Sequence, residues 1–377
     1  MTAPTTSYHL RPHSGWLNDP NGMTFRDGVW HVFFQHNPHA PVHDRIAWGH
    51  AVSDDLANWR LLPVAFGPTP GGPDSSGCWS GVFLPGHERP GVVYSGVTDE
   101  SGASTVCLRW GSPDLVTWDA PVVVAPTPHI DDIAVMRDPF VFELDGRPLA
   151  ILGAGRRDGT PVVLLFDRQN ELVWRYLGLF VADDPVLAAA ATADVWECPQ
   201  LFRLEDRWVL LVSVLDGDQL VGELAAVGRV ETDGARPRFV AEHANLLDVG
   251  PDLYAVQATV ADGEPLLIGW VRQQAQDPTV RDHAGCLSLP RRVKLAGNRV
   301  VRVAGDGVRL THPRHGIVEV SDGSQVWVDG AVLEHYPKDG LPGTWRSDEP
   351  WTLTVPEGVR VQVGEVIPTV PQSGTAA

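Results

Sequence analysis

Short apolar runs that stop at a polar turn and start again set the rhythm of this chain. Met23-Thr24-Phe25 and Val29–Phe34 flank Asp27-Gly28, and Gly81–Leu84 and Gly91–Tyr94 flank a turn around Glu88. Phe140-Val141-Phe142 and Leu149–Leu152 flank Asp145-Gly146. Leu201–Leu204 and Trp208–Val212 flank Glu205-Asp206, and Thr259-Val260 and Leu266-Leu267-Ile268 flank Asp262-Gly263. Asp-Gly between apolar runs is a strong hairpin signal, because both turn residues adopt positive φ readily. Taken at 27, 88, 145, 205 and 262, the turns step by 61, 57, 60 and 57 residues. A second echo runs beside the first: Ser53–Trp59 (Ser-Asp-Asp-Leu-Ala-Asn-Trp) returns as Ser112–Trp118 and, weakly, as Asn170–Trp174. Five equivalent units, each long enough for a four-stranded sheet, predict an all-β chain folded as a five-bladed β-propeller. A β-sandwich of the same length is the structural rival.

The repeat ends after Gly269-Trp270, and Gly285–Arg292 leads into weaker β-like runs such as Gln325–Val328 and Trp351–Val355. We therefore expect a five-bladed propeller domain over 1–295, a short C-terminal β module over 296–368 and a disordered tail over 369–377. Asp184-Pro185-Val186-Leu187 and the alanines after it predict one short helix with Pro in its first turn.

Composition agrees with this architecture: among 377 residues, 38 Gly and 32 Pro against 3 Met favour tight turns over long helices. The net charge of -18 repels phosphate backbones and anionic lipid. No basic patch offsets it, so neither nucleic acid nor a membrane is expected as partner, and a small neutral molecule is the simpler one. The N-terminal residues show no basic segment followed by an apolar stretch, which predicts a cytoplasmic protein. Cys78, Cys107, Cys198 and Cys286 form no Cys-x-x-Cys pair and read as reduced, partly buried thiols. Seven histidines crowd the first fifty residues without ligand spacing, so no metal site is expected. Gly153–Gly159 has the wrong spacing for a phosphate loop and precedes a strand.

In a propeller the first strand of each unit lines a central channel, so equivalent positions meet in space. Asp19, Asp138 and Glu197 precede the turns of three hairpins by 8, 7 and 8 residues. Carboxylates converging on one pocket are what glycoside hydrolysis uses: one attacks the anomeric carbon and the other protonates the departing oxygen. Glu197, between Val195-Trp196 and Cys198-Pro199, has an apolar setting suited to a protonated general acid. Asp19, among the donors Asn18, Asn21 and Gly22, has one suited to an ionised nucleophile. Alone, Asp19-Pro20-Asn21-Gly22 reads as an ordinary turn and Arg137-Asp138-Pro139 as a structural ion pair or an Asx turn; their shared offset changes the balance.

Taken together, Trp16–Gly22 (Trp-Leu-Asn-Asp-Pro-Asn-Gly), Phe34–Pro38, Trp48–Ala51, Trp79-Ser80-Gly81, Arg137-Asp138-Pro139, Trp196–Pro199, Asp252-Leu253-Tyr254, Gly269-Trp270 and Leu287–Arg291 resemble, in order and spacing, glycoside hydrolase family 32. The resemblance implies a five-bladed propeller with a C-terminal β-sandwich. It also implies action on β-fructofuranosides such as sucrose, sucrose 6-phosphate, inulin or levan with retention of configuration, without a cofactor. It makes Asp19 the nucleophile, Glu197 the acid/base and Asp138 the transition-state stabiliser. Asn18, Gln35, Trp48, Trp79, Ser80, Arg137, Asp252, Tyr254 and Trp270 then fall at substrate-contacting positions. Two departures stand out. Residues 38–48 lack a second tryptophan that many members carry, with His43 near its place, and Trp79 replaces the usual Phe. The C-terminal part is also shorter than the family's sandwich. A fructosyltransferase using the same covalent intermediate, and a non-catalytic fructan-binding propeller, are the competing readings.

Overall fold

A computed structural model of the chain describes residues 8–99, 103–233, 236–261, 263–273, 282–297, 299–302, 315–320, 322–347 and 361–364. The first sheet comprises β1 (Gly15–Arg26), β2 (Val29–Asn37), β3 (Ala47–Ser53) and β4 (Arg60–Phe66). The second comprises β5 (Gly77–Phe83), β6 (Gly91–Val97), β7 (Ser104–Trp110) and β8 (Val122–Ala125), and the third β9 (Ile133–Leu144), β10 (Arg147–Arg156), β11 (Pro161–Asp167) and β12 (Arg175–Val181). A short helix, α1 (Pro185–Ala190), precedes the fourth sheet of β13 (Val195–Leu204), β14 (Arg207–Asp216), β15 (Gln219–Asp233) and β16 (Arg236–Leu246). Asp184 caps the helix by accepting from the amides of Val186 and Leu187, and Pro185 needs no partner there. The fifth sheet holds β17 (Leu253–Ala261), β18 (Glu264–Val271), β20 (Cys286–Leu287), β21 (Arg291–Ala296) and β22 (Arg299–Arg302). It thus runs through residue 295 and ends at Arg302. β19 (His283–Ala284) belongs instead to the first sheet, where it lies parallel to β1 and joins the last blade to the first.

The first strands of the five sheets, β1, β5, β9, β13 and β17, neighbour one another in a closed ring. The fold is the expected five-bladed propeller. Its apolar interior is divided rather than single, with one wedge of buried side chains between each pair of adjacent blades. Phe33, Trp48 and Phe66 meet Tyr94 and Leu115 between the first two blades, and Leu84 and Leu108 meet Ala150 and Phe166 between the next two. Trp16, Leu17 and Phe34 meet Tyr254, Ile268 and Trp270 across the ring closure. Stacking on both faces explains why β3, β6 and β11 are continuous buried runs where a one-sided sheet would alternate. The echoing segments Ser53–Trp59, Ser112–Trp118 and Asn170–Trp174 all fall on the connection from third to fourth strand. The first two share a leucine at positive φ, Leu56 at 62° and Leu115 at 58°.

The C-terminal β module is a five-stranded antiparallel sheet of β23 (His315–Val320), β24 (Gln325–Asp329), β25 (Val332–Tyr336), β26 (Gly343–Arg346) and β27 (Val361–Gly364), in the order β26-β25-β24-β23-β27. The run Trp351–Val355 and the tail from 369 lie outside the described residues. A buried polar cluster fixes this sheet to the propeller. Arg291 donates to Asp248 at 2.7 Å, to Glu334 at 2.8 Å and to Thr344 at 2.6 Å, while His9 bridges Asp329 at 2.7 Å and Glu334 at 2.9 Å. Burial alone would keep His9 neutral, but hydrogen bonds to the two carboxylates push its pKa up to about 10, so it is charged at neutral pH. Gly250 is obligatory beside this cluster: a Cβ there would sit 2.0 Å from the Thr344 carbonyl oxygen.

Removing one partner from such a cluster strands buried charge. Arg291→Met is expected to lower unfolding free energy by about 3–5 kcal/mol, measured by urea denaturation; a loss below about 1 kcal/mol would mean that the cluster does not hold the sheet.

Candidate active site

Each inner strand carries a bulge at one level of the ring, where two residues face one on the neighbouring strand. The pairs are Asn18-Asp19, Trp79-Ser80, Asp138-Pro139, Cys198-Pro199 and Ala255-Val256; opposite them stand Gln35, Ser95, Leu152, Val212 and Gly269. In blades three to five the first bulged residue is left-handed without being glycine: Asp138 at φ 58°, Cys198 at 47° and Ala255 at 51°. Its amide is released from the ladder and caught by the preceding blade. The Asp138 amide donates to Ser95 Oγ (2.7 Å), that of Cys198 to Asp138 Oδ2 (2.9 Å) and that of Ala255 to Ser213 Oγ (3.1 Å).

The three acids occupy successive positions around this feature. Glu197 is the last laddered residue before its bulge, Asp138 the first bulged residue and Asp19 the second. Counting back from the hairpin turns had placed them at almost the same level. The count is displaced because β1 has another bulge, between Asn21 and Thr24. All three line one pocket of about 340 Å³ at a mouth of the channel. Cys198 Sγ lies 3.5 Å from both Asp19 Oδ2 and Asp138 Oδ2, which ties those carboxylates to one another.

Asp19 is buried and wrapped in donors. Asn18 Nδ2 and Gln35 Nε2 reach it at 3.0 Å each, and Ser80 Oγ also donates to it. Trp16 Nε1 donates to Asn18 Oδ1 at 2.7 Å and so fixes the amide's orientation. The donors anticipated from sequence are present, yet burial outweighs them, and with the nearby Glu197 charge it pushes Asp19 up to about 6. Asp138 is pushed further, to about 8, by burial first and then by Glu197, against the opposing effect of Arg137. Glu197 is not in the apolar setting expected for it: Arg137 Nη1 donates to Oε1 at 2.9 Å and the Tyr254 hydroxyl to Oε2 at 2.8 Å.

Asn18, Gln35, Trp79, Arg137, Tyr254 and Trp270 line the pocket with the acids. Ser80 is fully buried behind Asp19 and acts on it through its hydroxyl. Two candidates lie elsewhere. Trp48 is wholly buried in the wedge between the first two blades, stacked on Phe66, with its indole N–H on the Trp79 carbonyl at 3.1 Å. Asp252 faces the C-terminal sheet, where it accepts the Arg346 amide at 2.8 Å. Conversely, Trp16, His43 and Leu220 also line the pocket, and Ser95 and Cys198 support it. Trp16 and Cys198 sit inside the quoted motifs, and Ser95 becomes visible once the bulge register is known. Leu220 gives no sequence signal. Among the described residues no cluster of His, Cys, Asp and Glu could hold a metal ion.

A propeller with three acids at the channel mouth defines the class, and the comparisons give the family. The sequence model of the glycosyl hydrolases family 32 N-terminal domain matches residues 9–303, and the chain belongs to that family. It is similar to a sucrose-6-phosphate hydrolase of Zymomonas mobilis, 33% identical over 311 residues that cover 78% of this chain and 60% of that protein. A sucrose-6-phosphate hydrolase of Bacillus subtilis is 32% identical over 316 residues, covering 78% and 64%. The matched region thus spans about 60% of the length of these curated relatives. Among solved structures, the sucrose-6-phosphate hydrolase of Lactobacillus gasseri shares the fold with a TM-score of 0.74 at 21% identity, covering 90% of this chain and 87% of that one.

A raised pKa on a buried acid has a definite sign. The folded state retains a proton on Asp138 that the unfolded chain has released, so stability falls as pH rises from the ordinary 3.8 through about 8. Asp138→Asn escapes this, and its melting temperature relative to the parent should rise between pH 5 and pH 8.5. Parallel melting curves across that range would contradict the burial argument.

Proposed function

We propose that this protein is a retaining, exo-acting β-fructofuranosidase of the invertase type, hydrolysing sucrose, sucrose 6-phosphate or a short fructo-oligosaccharide. The observation that carries the reading is the convergence of three carboxyls with different surroundings. Asp19 is immobilised by Asn18, Gln35 and Ser80, as a nucleophile must be, while Glu197 faces it from a half-buried position where protons can enter and leave. In the first step a carboxylate oxygen of Asp19 bonds to the fructosyl anomeric carbon. The bond to the leaving oxygen breaks, and that oxygen takes the proton of Glu197. In the second, Glu197 removes a proton from water, the water oxygen bonds to the same carbon and Asp19 departs, restoring the enzyme with net retention. Asp138, adjoining Asp19 through Cys198, grips sugar hydroxyls as positive charge develops on the ring. On this reading the leaving group sits beside His43 and Trp79, where this chain departs from the family pattern, with Leu220 on the same pocket wall. The names of the related hydrolases support the substrate class.

Free fructose released from a panel of sucrose, sucrose 6-phosphate, inulin and levan tests the activity and ranks the substrates. Asp19→Asn is expected to fold normally and lose at least about 10³-fold in turnover; a variant retaining a tenth of the activity would refute the nucleophile assignment. Because Asp19 must be ionised and is pushed up to about 6, kcat/KM should fall below about pH 6. A pH profile flat down to 4.5 would remove Asp19 from that role.

A further inference from the structure

Across the fourth blade, Glu197 on β13 pairs with Ser213 on β14, and Ser213 pairs with Glu223 on β15, so the three side chains share one face of the sheet. Three consecutive residues of β17 lie against that row, and each is held by one member. The Tyr254 hydroxyl donates to Glu197 at 2.8 Å, the Ala255 amide to Ser213 Oγ at 3.1 Å and the Val256 amide to Glu223 Oε2 at 3.3 Å. Ser213 Oγ in turn donates to Glu223 Oε2 at 2.7 Å. Glu223 is fully buried and its other oxygen, Oε1, has no hydrogen-bond partner among the described residues. An isolated buried carboxyl is costly, and burial pushes this one up to about 8.

We infer that Glu223, acting through Ser213, is a positioning residue for the acid/base: it pins the left-handed bulge of β17 so that Tyr254 meets Glu197. Ala255 holds φ 51° without being glycine, a conformation that costs about 1 kcal/mol or more. The two bulge amides have no ladder partner to offset that strain. Glu223 and Ser213 supply both acceptors. Without them the bulge relaxes, the Tyr254 hydroxyl shifts along the strand, and Glu197 loses one of the two groups that orient it. The inference rests on the assignment of Glu197 as acid/base.

The test compares sucrose with nitrophenyl β-fructofuranoside, whose leaving group departs with little need of an acid. Glu223→Leu and Tyr254→Phe should each lower kcat/KM on sucrose about tenfold, and that loss should largely vanish in kcat/KM on the nitrophenyl substrate, because kcat/KM reports the first step, in which Glu197 acts as the acid. Their double variant should be no slower than the slower single, since both act through one contact. Glu223→Gln, whose amide oxygen still accepts, should restore turnover to within about threefold of the parent. If Glu223→Leu fails to fold, Ser213→Ala carries the same expectations. Equal losses of kcat/KM on both substrates, multiplicative effects in the double variant, or unchanged kcat/KM on sucrose would overturn the inference. Glu197→Gln is measured alongside. If it is active on sucrose the acid/base assignment has failed, whereas if it alone depends on the leaving group, only the role of Glu223 has.

Discussion

One surplus residue in each inner strand governs what this molecule can do. A regular strand would turn alternate side chains into the channel and leave every amide in its ladder. The bulge breaks both rules at one height in all five blades. It turns Asp19, Asp138 and the residues beside them toward the axis, and it frees amides that the neighbouring blade then captures. The clasps run from Ser95 to the third blade, from Asp138 to the fourth and from Ser213 to the fifth. The site is therefore built into the seams of the ring, and its geometry is only as good as the packing of blade against blade.

That arrangement concentrates cost in one place. Burial pushes Asp19 up to about 6, and Asp138 and Glu223 to about 8. Such groups oppose folding once they must ionise. The apolar wedges between blades offset this, and the polar cluster around Arg291 fixes the C-terminal sheet to the propeller. The wedge across the ring closure reaches the site itself, since Trp16, Tyr254 and Trp270 belong to it and also line the pocket.

The architecture was legible because its signals are local. Asp27-Gly28 and Asp145-Gly146 each mark a tight hairpin that chain sequence alone specifies, and their spacing reveals the repeat. Asp19, Asp138 and Glu197 could be grouped for the same reason. What escaped notice depends on register and on partners far away in sequence. The second bulge in β1 offsets any count from its turn, and Glu197 gains Arg137 and Tyr254 from other blades in place of the apolar setting its neighbours suggested. Trp48 and Asp252 lie in recognisable motifs, yet one fills a wedge and the other anchors the C-terminal sheet. A motif fixes where a residue sits in the chain, and the strand pairing decides which way it faces.

The parallel pairing of His283-Ala284 with Gly15-Trp16 imposes an order in time. The strand that bears Asp19 completes its sheet with residues about 270 positions later, so on a ribosome adding roughly 5–20 residues per second it waits on the order of ten seconds to a minute. During that interval Trp16, Leu17 and Phe34 lack the fifth blade that covers them. Blades two to four can stack in sequence as they emerge, but the ring shuts only when the last blade arrives. The pocket is then among the last parts of the molecule to come into being, and a nascent chain halted before residue 283 carries Asp19 without the closed ring around it.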